Sequence, residues 1–173
     1  MGEQIYKGRI VDLRLEHVTL PNGARVDLEL IRHVGAAAVV ALDERERVVL
    51  LRQFRFAAGG YIWELPAGIL SSPEEPPAAC AARELREEAG VTAEELSPLG
   101  AILTTPGFTD ERIHLFLARG LRAVGAAHED DEVIAEIAWL PLGEALAMIR
   151  DGGIVDAKTI AGLHLASVAI GPR

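Results

Sequence analysis

The sequence is poor in cysteine, aromatic residues and positive charge. Cys80 is the single cysteine among 173 residues. It excludes an internal disulfide and indicates a reducing compartment, so we expect a cytoplasmic protein. Aromatic residues make up 5% of the chain, and 17 Lys and Arg oppose 26 Asp and Glu, for a net charge of −9. Because nucleic-acid backbones bind basic surfaces, this balance argues against nucleic acid as a partner.

Long apolar runs and several familiar motifs are also absent. The longest apolar run, residues 159–171, is too short to cross a bilayer and contains His164, so no membrane partner is expected. Residues 2–7 lack the apolar stretch of a signal peptide. The chain has neither a P-loop nor a nucleophile-elbow motif, and its five histidines lack the spacing of zinc ligands. These absences argue against an NTPase, a serine hydrolase or a zinc protein.

An alternating pattern marks the N-terminal segment. Apolar and polar side chains alternate over residues 11–15 and again over residues 26–30, on either side of Pro21-Asn22-Gly23. Asn-Gly is a strong hairpin signal because both residues tolerate positive φ. We therefore predict a half-buried antiparallel hairpin over residues 9–32, within an N-terminal β element of residues 1–34 that needs a surface to cover its apolar face.

The remaining residues, 35–173, have the pattern of one layered domain. The runs 35–41 and 48–51 are continuously apolar, as expected of central strands covered on both faces. Further strands and three helices alternate along the chain, which predicts an α/β core. The expected strands are 61–65, 99–104, 113–118 and 133–140, and the expected helices are 77–89, 142–150 and 157–169.

The first of these helices is the most informative. Pro77 suits the first helical position, and Gly90 suits the left-handed position after a last residue Ala89. At about 100° per residue, the side chains divide into two arcs. Four apolar side chains form the expected core face: Ala78, Ala82, Leu85 and Ala89. Glu84, Glu87 and Glu88 form a second arc, and Cys80 lies on it as a small filler.

Two readings of the carboxylate arc are open from the helix alone. Like charges at these spacings repel by roughly 0.2–0.5 kcal/mol per pair, so the glutamates need a reason to be together. A solvated acidic face with Arg83 and Arg86 as partners is the commoner explanation of such a run. A cluster of hard oxygen ligands for Mg²⁺ or Mn²⁺ is the other.

The segment from Gly68 to Val91 resembles the Nudix box, the signature of hydrolases that act on a nucleoside diphosphate linked to another moiety. The matching residues are a glycine, a loop glutamate and a helical run: Gly68, Glu75 and Arg83-Glu84-Leu85-x-Glu87-Glu88-x-Gly90-Val91. The usual count from Gly68 would select Glu74, whereas the count from Arg83 selects Glu75, which we interpret as one extra loop residue. The resemblance implies an α/β (α+β) Nudix fold with a mixed central sheet between helices.

The same resemblance implies roles for these residues. Glu84 and Glu88 would bind Mg²⁺ directly, with Mn²⁺ as a possible substitute, and Glu87 would share a second ion or orient its waters. The backbone carbonyl of Ala67 would be a further metal ligand. The remaining box residues would be structural, with Arg83 pairing with Glu75 to brace the loop between Gly68 and the helix that ends at Gly90.

Four other stretches resemble the ADP-ribose pyrophosphatase branch of this family. They are residues 51–56, 64–68, 105–111 and 156–160, and Pro106 lies 15 residues beyond Val91. The resemblance implies a homodimer in which the N-terminal strands exchange between subunits, with the adenine near that seam.

Further substrate contacts follow from this resemblance. Arg55 would contact a phosphate, since guanidinium matches phosphate bidentately, although it could instead be a surface strand residue. Glu64 would line the same site. Phe108 could stack on the base, but a lone aromatic is more often part of a core.

An acidic loop, residues 129–132, could supply a general base. We select Glu132, directly before an apolar strand, over Glu129 and Asp131, and a solvated loop without a catalytic role is the alternative. The predicted reaction is hydrolysis of a small-molecule nucleotide, ADP-ribose, to AMP and ribose 5-phosphate. Another nucleoside diphosphate sugar or a dinucleotide is an alternative substrate, and a non-catalytic ADP-ribose sensor is the alternative function.

Overall fold

The computed structural model describes residues 2–125 and 133–171. In these ranges the chain forms ten strands, three α-helices and a short 3-10 helix at Phe56–Ala58. The strands are β1 Glu3–Lys7, β2 Asp12–Thr19, β3 Arg25–Arg32, β4 Ala36–Ala41, β5 Arg47–Arg55, β6 Gly60–Glu64, β7 Ala67–Ile69, β8 Val91–Leu103, β9 Arg112–Ala123 and β10 Ile134–Pro141. The helices are α1 Pro77–Ala89, α2 Leu142–Arg150 and α3 Ala157–Ile170.

The strands are arranged in three sheets. The central sheet has the order β7-β4-β9-β8, and β4 and β9 run parallel while its other pairs are antiparallel. A second sheet, β10-β5-β6, and an N-terminal sheet, β1-β2-β3, are antiparallel. The predicted mixed central sheet is therefore confirmed.

Strand β4 lies at the centre of the core, covered on both faces. Ala37, Val39 and Ala41 pack with the apolar side chains of α1. The alternate residues, including Ala38 and Val40, pack on the α3 side. Because successive side chains of a strand point to opposite faces, a continuous apolar run is what such a strand requires. All six residues of β4 are buried, so the interpretation of residues 35–41 is confirmed.

The predicted helices are confirmed, and two predicted strands are longer than expected. β8 begins at Val91 and continues to Leu103, and β9 extends to Ala123. In β8 the register shifts between Pro98 and Gly100. A proline in a strand is tolerated at such a bulge, which explains why the sequence pattern revealed only the second half of β8. None of the helices in the described ranges is long and apolar enough to span a membrane.

The predicted hairpin is present, but the register divides its apolar residues between two faces. In β2 and β3, Leu13 is opposite Ile31 and Leu15 is opposite Glu29, whereas Leu28 is opposite Glu16. Directly opposite residues share a face, so the two alternating runs point to opposite sides of the sheet. The expectation of a single apolar face was therefore wrong.

The turn explains this register. Of Asn22 and Gly23, only Gly23 has a positive φ, at 84°. The side chain of Asn22 instead accepts a hydrogen bond from the Ala24 N–H at 3.0 Å. This turn joins Thr19 to Arg25 as the last opposed pair. Because the side-chain period of a strand is two, the choice of opposed pair decides which residues share a face.

The buried face of α1 also differs from the prediction. Ala78 and Ala82 are exposed, whereas Cys80, Ala81 and Leu85 are buried. The buried face also includes the carboxylates of Glu84 and Glu88. An alanine buries little apolar area, while the two carboxylates find hydrogen-bond donors on the side of α1 that faces β7. The helix is therefore rotated relative to the orientation that the apolar residues alone predict.

Candidate active site

The close approach of β7 to α1 defines one wall of the site. A Cβ atom at Gly68 would lie 1.9 Å from Oε1 of Glu84, so glycine is required at this position for the carboxylate to occupy its place. One residue earlier, the N–H of Ala67 donates to Oε2 of Glu88 at 2.8 Å. The backbone of residues 67–68 and the carboxylates of α1 are thus packed directly together.

Arg83 connects the loop to the helix. Its Nη1 lies 2.5 Å from Oε1 of Glu84 and 3.4 Å from Oε2 of Glu87, and its Nε lies 3.5 Å from Oε1 of Glu75. Burial acts to lower the pKa of Arg83, but the charge of Glu84, the hydrogen bond to it and smaller effects that include the charge of Glu75 together outweigh burial, and the pKa is raised. The Arg83–Glu75 contact expected from the sequence is present.

Glu75 is in turn held by the loop backbone. The Ser71 N–H donates to its Oε2 at 2.5 Å. This hydrogen bond, followed in size by opposing desolvation and then by smaller effects that include the charge of Arg83, leaves the pKa of Glu75 lowered. The helix ends as expected, with Gly90 in the left-handed conformation at φ 67° and its N–H donating to Arg86. The loop and the C-terminal end of α1 are therefore fixed by local contacts.

The three helix carboxylates are held by arginine side chains and by a backbone N–H. Glu87 contacts Arg86 at 3.0 Å in addition to Arg83. Within residues 2–125 and 133–171, no three His, Cys, Asp or Glu side chains converge as the ligands of a metal do. The donor set nevertheless fits a hard divalent cation, because it consists of carboxylate oxygens beside a glycine backbone that no side chain shields. A cation would compete with Arg83 for Glu84.

Cys80 also faces this wall but is a poor candidate for a ligand. Its Sγ donates weakly to the carbonyl oxygens of Gly68 and Ile69, at 3.5 and 3.6 Å. Burial raises the pKa of the thiol to about 11. A protonated soft sulfur does not suit Mg²⁺, which agrees with its interpretation as a filler.

The opposite wall consists of β5 and β6. Nε and Nη2 of Arg55 contact Oε2 of Glu64, at 3.0 and 2.8 Å. Oε1 of Glu64 accepts from Nζ of Lys158 at 2.9 Å, and Lys158 also contacts Asp156 at 3.1 Å. Burial acts to lower the pKa of Arg55, but the hydrogen bond to Glu64 and the nearby negative charges together outweigh burial, and the pKa is raised. The Arg55 side chain is 43% exposed, but it is held in place by the buried Glu64 as part of an ion-pair network with Lys158.

The start of α3 anchors this network to the backbone that leads into β7. Asp156 caps α3 by accepting from the Thr159 N–H at 2.9 Å. Oγ1 of Thr159 donates to Asp156 at 2.6 Å and accepts from the Leu65 N–H at 2.9 Å. Lys158 and Thr159 belong to the stretch 156–160 that resembles the branch, but neither residue has a role predicted from the sequence. The sequence feature that could have identified them is a pair of polar residues at the start of an otherwise apolar helix.

A cavity of about 500 Å³ lies between the two walls. It is lined by residues of β5, by the end of β7 and the residues after it, by the Arg83, Glu84 and Glu87 side of α1, and by Arg9 and Ile10 from the link between β1 and β2. We call this cavity the cleft. It brings together an arginine and two of the glutamates that the sequence singled out.

Among the predicted metal and substrate contacts, Ala67, Glu88 and Glu64 lie in the walls without lining the cleft, and Phe108 lies elsewhere. Phe108 is 51% exposed, and its carbonyl accepts from the Ile31 N–H at 2.8 Å, which positions it beside the N-terminal sheet. Asp110, in the same loop, contacts Arg32 at 3.0 Å. The predicted base, Glu132, lies outside the described residues, as do Glu129 and Asp131.

Comparison with known proteins identifies first the fold and then the family. The solved structure of an ADP compounds hydrolase superposes with a TM-score of 0.80 at 21% identity, covering 95% of this chain and 88% of that chain. The model of the NUDIX domain matches residues 32–163. The chain therefore belongs to the NUDIX family.

Relatives with assigned names match most of the chain. An ADP-ribose pyrophosphatase of Mycobacterium tuberculosis is 41% identical over 165 residues, covering 94% of this chain and 79% of its own length. A methanol dehydrogenase activator of Bacillus methanolicus is 41% identical over 159 residues, covering 91% of this chain and 85% of its own length. Because each match covers more than nine-tenths of this chain, it includes at least part of the N-terminal sheet as well as the NUDIX domain.

Proposed function

We propose that this chain is a Mg²⁺-dependent hydrolase that converts ADP-ribose and water to AMP and ribose 5-phosphate. The observation that carries the proposal is the cleft, in which Arg55 lies opposite Glu84 and Glu87. An arginine facing carboxylates suits an anionic diphosphate bound together with a cation. The substrate is suggested by the 41% identity with the Mycobacterium tuberculosis ADP-ribose pyrophosphatase.

In this proposal the cation is held by α1 and β7. Glu84 and Glu88 would be direct ligands, Glu87 would share a second ion or orient its waters, and the Ala67 carbonyl would complete the set. A bound Mg²⁺, or Mn²⁺ in its place, supplies positive charge beside the diphosphate and lowers the pKa of water. A cation on Glu84 would displace Arg83 from that carboxylate, and Arg83 would keep its existing contacts with Glu87 and Glu75.

The second wall binds and orients the substrate. Arg55 donates to a phosphate oxygen, and Glu64 holds the guanidinium at the correct angle because it accepts from both Nε and Nη2. Lys158 neutralises the other oxygen of Glu64, so the glutamate does not repel the diphosphate. Phe108 is available to stack on the adenine from the side of the N-terminal sheet.

Glu132 is the proposed general base, which takes the proton from the attacking water. Val133, the residue after it in the sequence, accepts a hydrogen bond from the Phe54 N–H at 2.9 Å. The chain therefore resumes, after residues 126–132, beside the strand that carries Arg55. The helix glutamates are engaged by the cation in this proposal, so a separate carboxylate is needed.

Single substitutions test this assignment. We expect Glu132→Gln to lower kcat by about 10²–10⁴ with Mg²⁺ affinity unchanged, and Glu129→Gln and Asp131→Asn to serve as matched controls. If a control shows this loss instead, the loop contains the base but Glu132 is not it. If no variant does, the proton leaves by another route.

We also propose a homodimer in the cytoplasm, with residues 1–34 forming the dimerisation element and residues 35–173 the hydrolase domain. The exposed apolar side chains of the N-terminal sheet, including Ile5 and Tyr6, support a partner surface. The single buried cysteine supports a reducing compartment.

A substrate panel tests the proposed reaction. Purified protein is assayed with ADP-ribose, other nucleoside diphosphate sugars and dinucleotides, each with Mg²⁺ and with Mn²⁺, and products are resolved by chromatography. We expect the highest kcat/KM for ADP-ribose, with AMP and ribose 5-phosphate in equal amounts. A higher kcat/KM for another compound would identify that compound, and not ADP-ribose, as the substrate. Tight binding of ADP-ribose without turnover would favour a non-catalytic ADP-ribose sensor. Since one relative is named as a dehydrogenase activator, a preference for a dinucleotide is the most informative contrary outcome.

A further inference from the structure

Gln53 is a buried polar residue in the wall of the cleft that the site described above does not use. It is 4% exposed and lines the cavity beside Arg55. Its side chain makes no hydrogen bond to any residue in the described part of the chain, yet neither of its amide atoms is sealed from the cavity. Among the described residues, its carboxamide is thus unpaired in the wall of the cleft.

The two side chains opposite Gln53 in the sheet cannot form a hydrogen bond with its amide. On β6 it is opposite Ile62 and on β10 it is opposite Ile134, and opposite residues share a face. Both flanking side chains are apolar. A carboxamide between two isoleucines would be replaced without loss by an apolar side chain if the position served packing alone, because an unpaired buried amide destabilises the folded state.

The position of Gln53 relative to Arg55 suggests what the amide binds. Residues two apart on a strand point to the same face and lie about 7 Å apart. Gln53 and Arg55 therefore face α1 together, and Glu84 and Glu87 line the other side of the same cavity. A neutral donor next to a guanidinium is suited to a second anionic oxygen of an extended ligand.

We propose that the carboxamide of Gln53 donates a hydrogen bond to a non-bridging oxygen of the substrate diphosphate, next to the phosphate held by Arg55. This inference rests on the proposed function, because it assumes that a diphosphate occupies the cleft. It assigns Gln53 to substrate binding through its N–H₂ group, with the carbonyl oxygen playing no part in the contact.

Gln53→Met is the primary test. Methionine has nearly the same length and no strong donor, so kcat/KM for ADP-ribose with Mg²⁺ should fall about 10- to 100-fold. The Kd of the methylene analogue of ADP-ribose, measured by calorimetry on the Mg²⁺-loaded protein, should rise by at least about tenfold. The Tm should be unchanged or higher, because an unpartnered amide has been removed. A residue with a purely structural role would lower the Tm instead.

Gln53→Glu separates the donor from the acceptor. Glutamate keeps an oxygen at the same reach but has no N–H, and its charge repels the diphosphate, so the loss should equal or exceed that of Gln53→Met. Retention of activity in Gln53→Glu would overturn the donor assignment. Arg52→Met is the matched control: Arg52 is the preceding residue of β5, is exposed on its other face and stacks on Tyr61, so kcat/KM should remain within about twofold.

The two hypotheses fail in different ways. If the wild type hydrolyses ADP-ribose and Gln53→Met keeps its kcat/KM and analogue affinity, only the role of Gln53 is overturned. A lowered Tm with unchanged kinetics overturns it as well. If the wild type does not hydrolyse ADP-ribose, the proposed function fails and the inference fails with it.

Discussion

The N-terminal sheet and the region formed by β4, β7 and α1 arrange polar and apolar side chains in opposite ways. In the N-terminal sheet the apolar side chains are exposed, as with Tyr6 at 59% and Leu28 at 42%, and the ion pairs are on the surface. In the second region β4 is buried throughout and Glu88 is 2% exposed. The first region leaves apolar surface uncovered, while the second buries charge.

This difference predicts where substitutions act. Exposed ion pairs contribute little because water screens them. Buried carboxylates are held by backbone donors and cannot move without a cost, so their geometry is fixed before a ligand binds. We therefore expect changes near α1 to affect turnover, and changes in the N-terminal sheet to affect assembly.

The largest expected effect is at Glu88. Glu88→Gln keeps an oxygen that can accept from the Ala67 N–H but removes the charge that would hold the proposed cation. Turnover of ADP-ribose should fall roughly a hundredfold or more, with little change in Tm. Steady-state kinetics and thermal melts measure the two quantities. Wild-type turnover in this variant would show that the carboxylates of α1 are not part of the catalytic site.

A smaller loss of turnover is expected when Gly68, which lies against Glu84, is replaced by alanine. In Gly68→Ala the new Cβ would displace the Glu84 carboxylate, and turnover should fall roughly 10- to 100-fold. Gly143→Ala is the matched control, because a Cβ there meets nothing within 4 Å in α2. Equal kinetics for the two alanine variants would show that the approach of Gly68 to Glu84 is unimportant.

The third prediction concerns assembly. Leu28→Arg should raise the dissociation constant of the proposed dimer at least about tenfold, while the monomer stays folded because Glu16 lies opposite on the same face. Sedimentation velocity over a concentration series measures this. Val168→Arg is the control, since Val168 is 78% exposed on α3, outside residues 1–34. Dissociation by the control alone would indicate that another surface forms the dimer.

The smallest effect is expected at an exposed ion pair of the N-terminal sheet. The hydrogen bond from His17 to Asp27, at 2.5 Å, raises the pKa of His17 above 6.5. The contribution of this ion pair to the free energy of unfolding is complete at pH values below the pKa of His17 in the unfolded chain. It is lost as the pH rises through the raised pKa of His17 in the folded protein. In an NMR titration, Asp27→Asn should return the pKa of His17 towards 6.5. An unchanged pKa would mean that the pair does not form in solution.

Local signals in the sequence were sufficient for most elements. The continuous apolar run 35–41 identified β4, because only a strand covered on both faces tolerates it. Pro77 and Gly90 fixed both ends of α1, since one suits the first helical turn and the other a left-handed φ. The box residues located the site, and Gly68, Glu75 and Arg83 could be selected before any distance was known.

Periodicity was not sufficient where packing chose between faces. The alternation in residues 9–32 predicted a hairpin, but the turn at Asn22-Gly23 set a register that separates Leu13 from Leu28. In α1 the apolar stripe predicted Ala78 and Ala82 as core, whereas hydrogen bonds to Glu88 and the close approach of Gly68 turned the carboxylates inward. A one-dimensional pattern counts apolar residues and contains no information about donors that arrive from elsewhere in the chain.

The sequence by itself determined the strand and helix types, the ends of α1 and the identity of the carboxylate cluster, because each depends on residues within a few positions of one another. Only the tertiary structure decided that Lys158 neutralises Glu64, 94 positions away, and that Gln53 lies between two isoleucines with its amide open to the cleft. Such contacts depend on strand register and on the docking of α3. Both are set by the packing of the whole chain, because no local preference distinguishes a side chain that faces a neighbour from one that faces water.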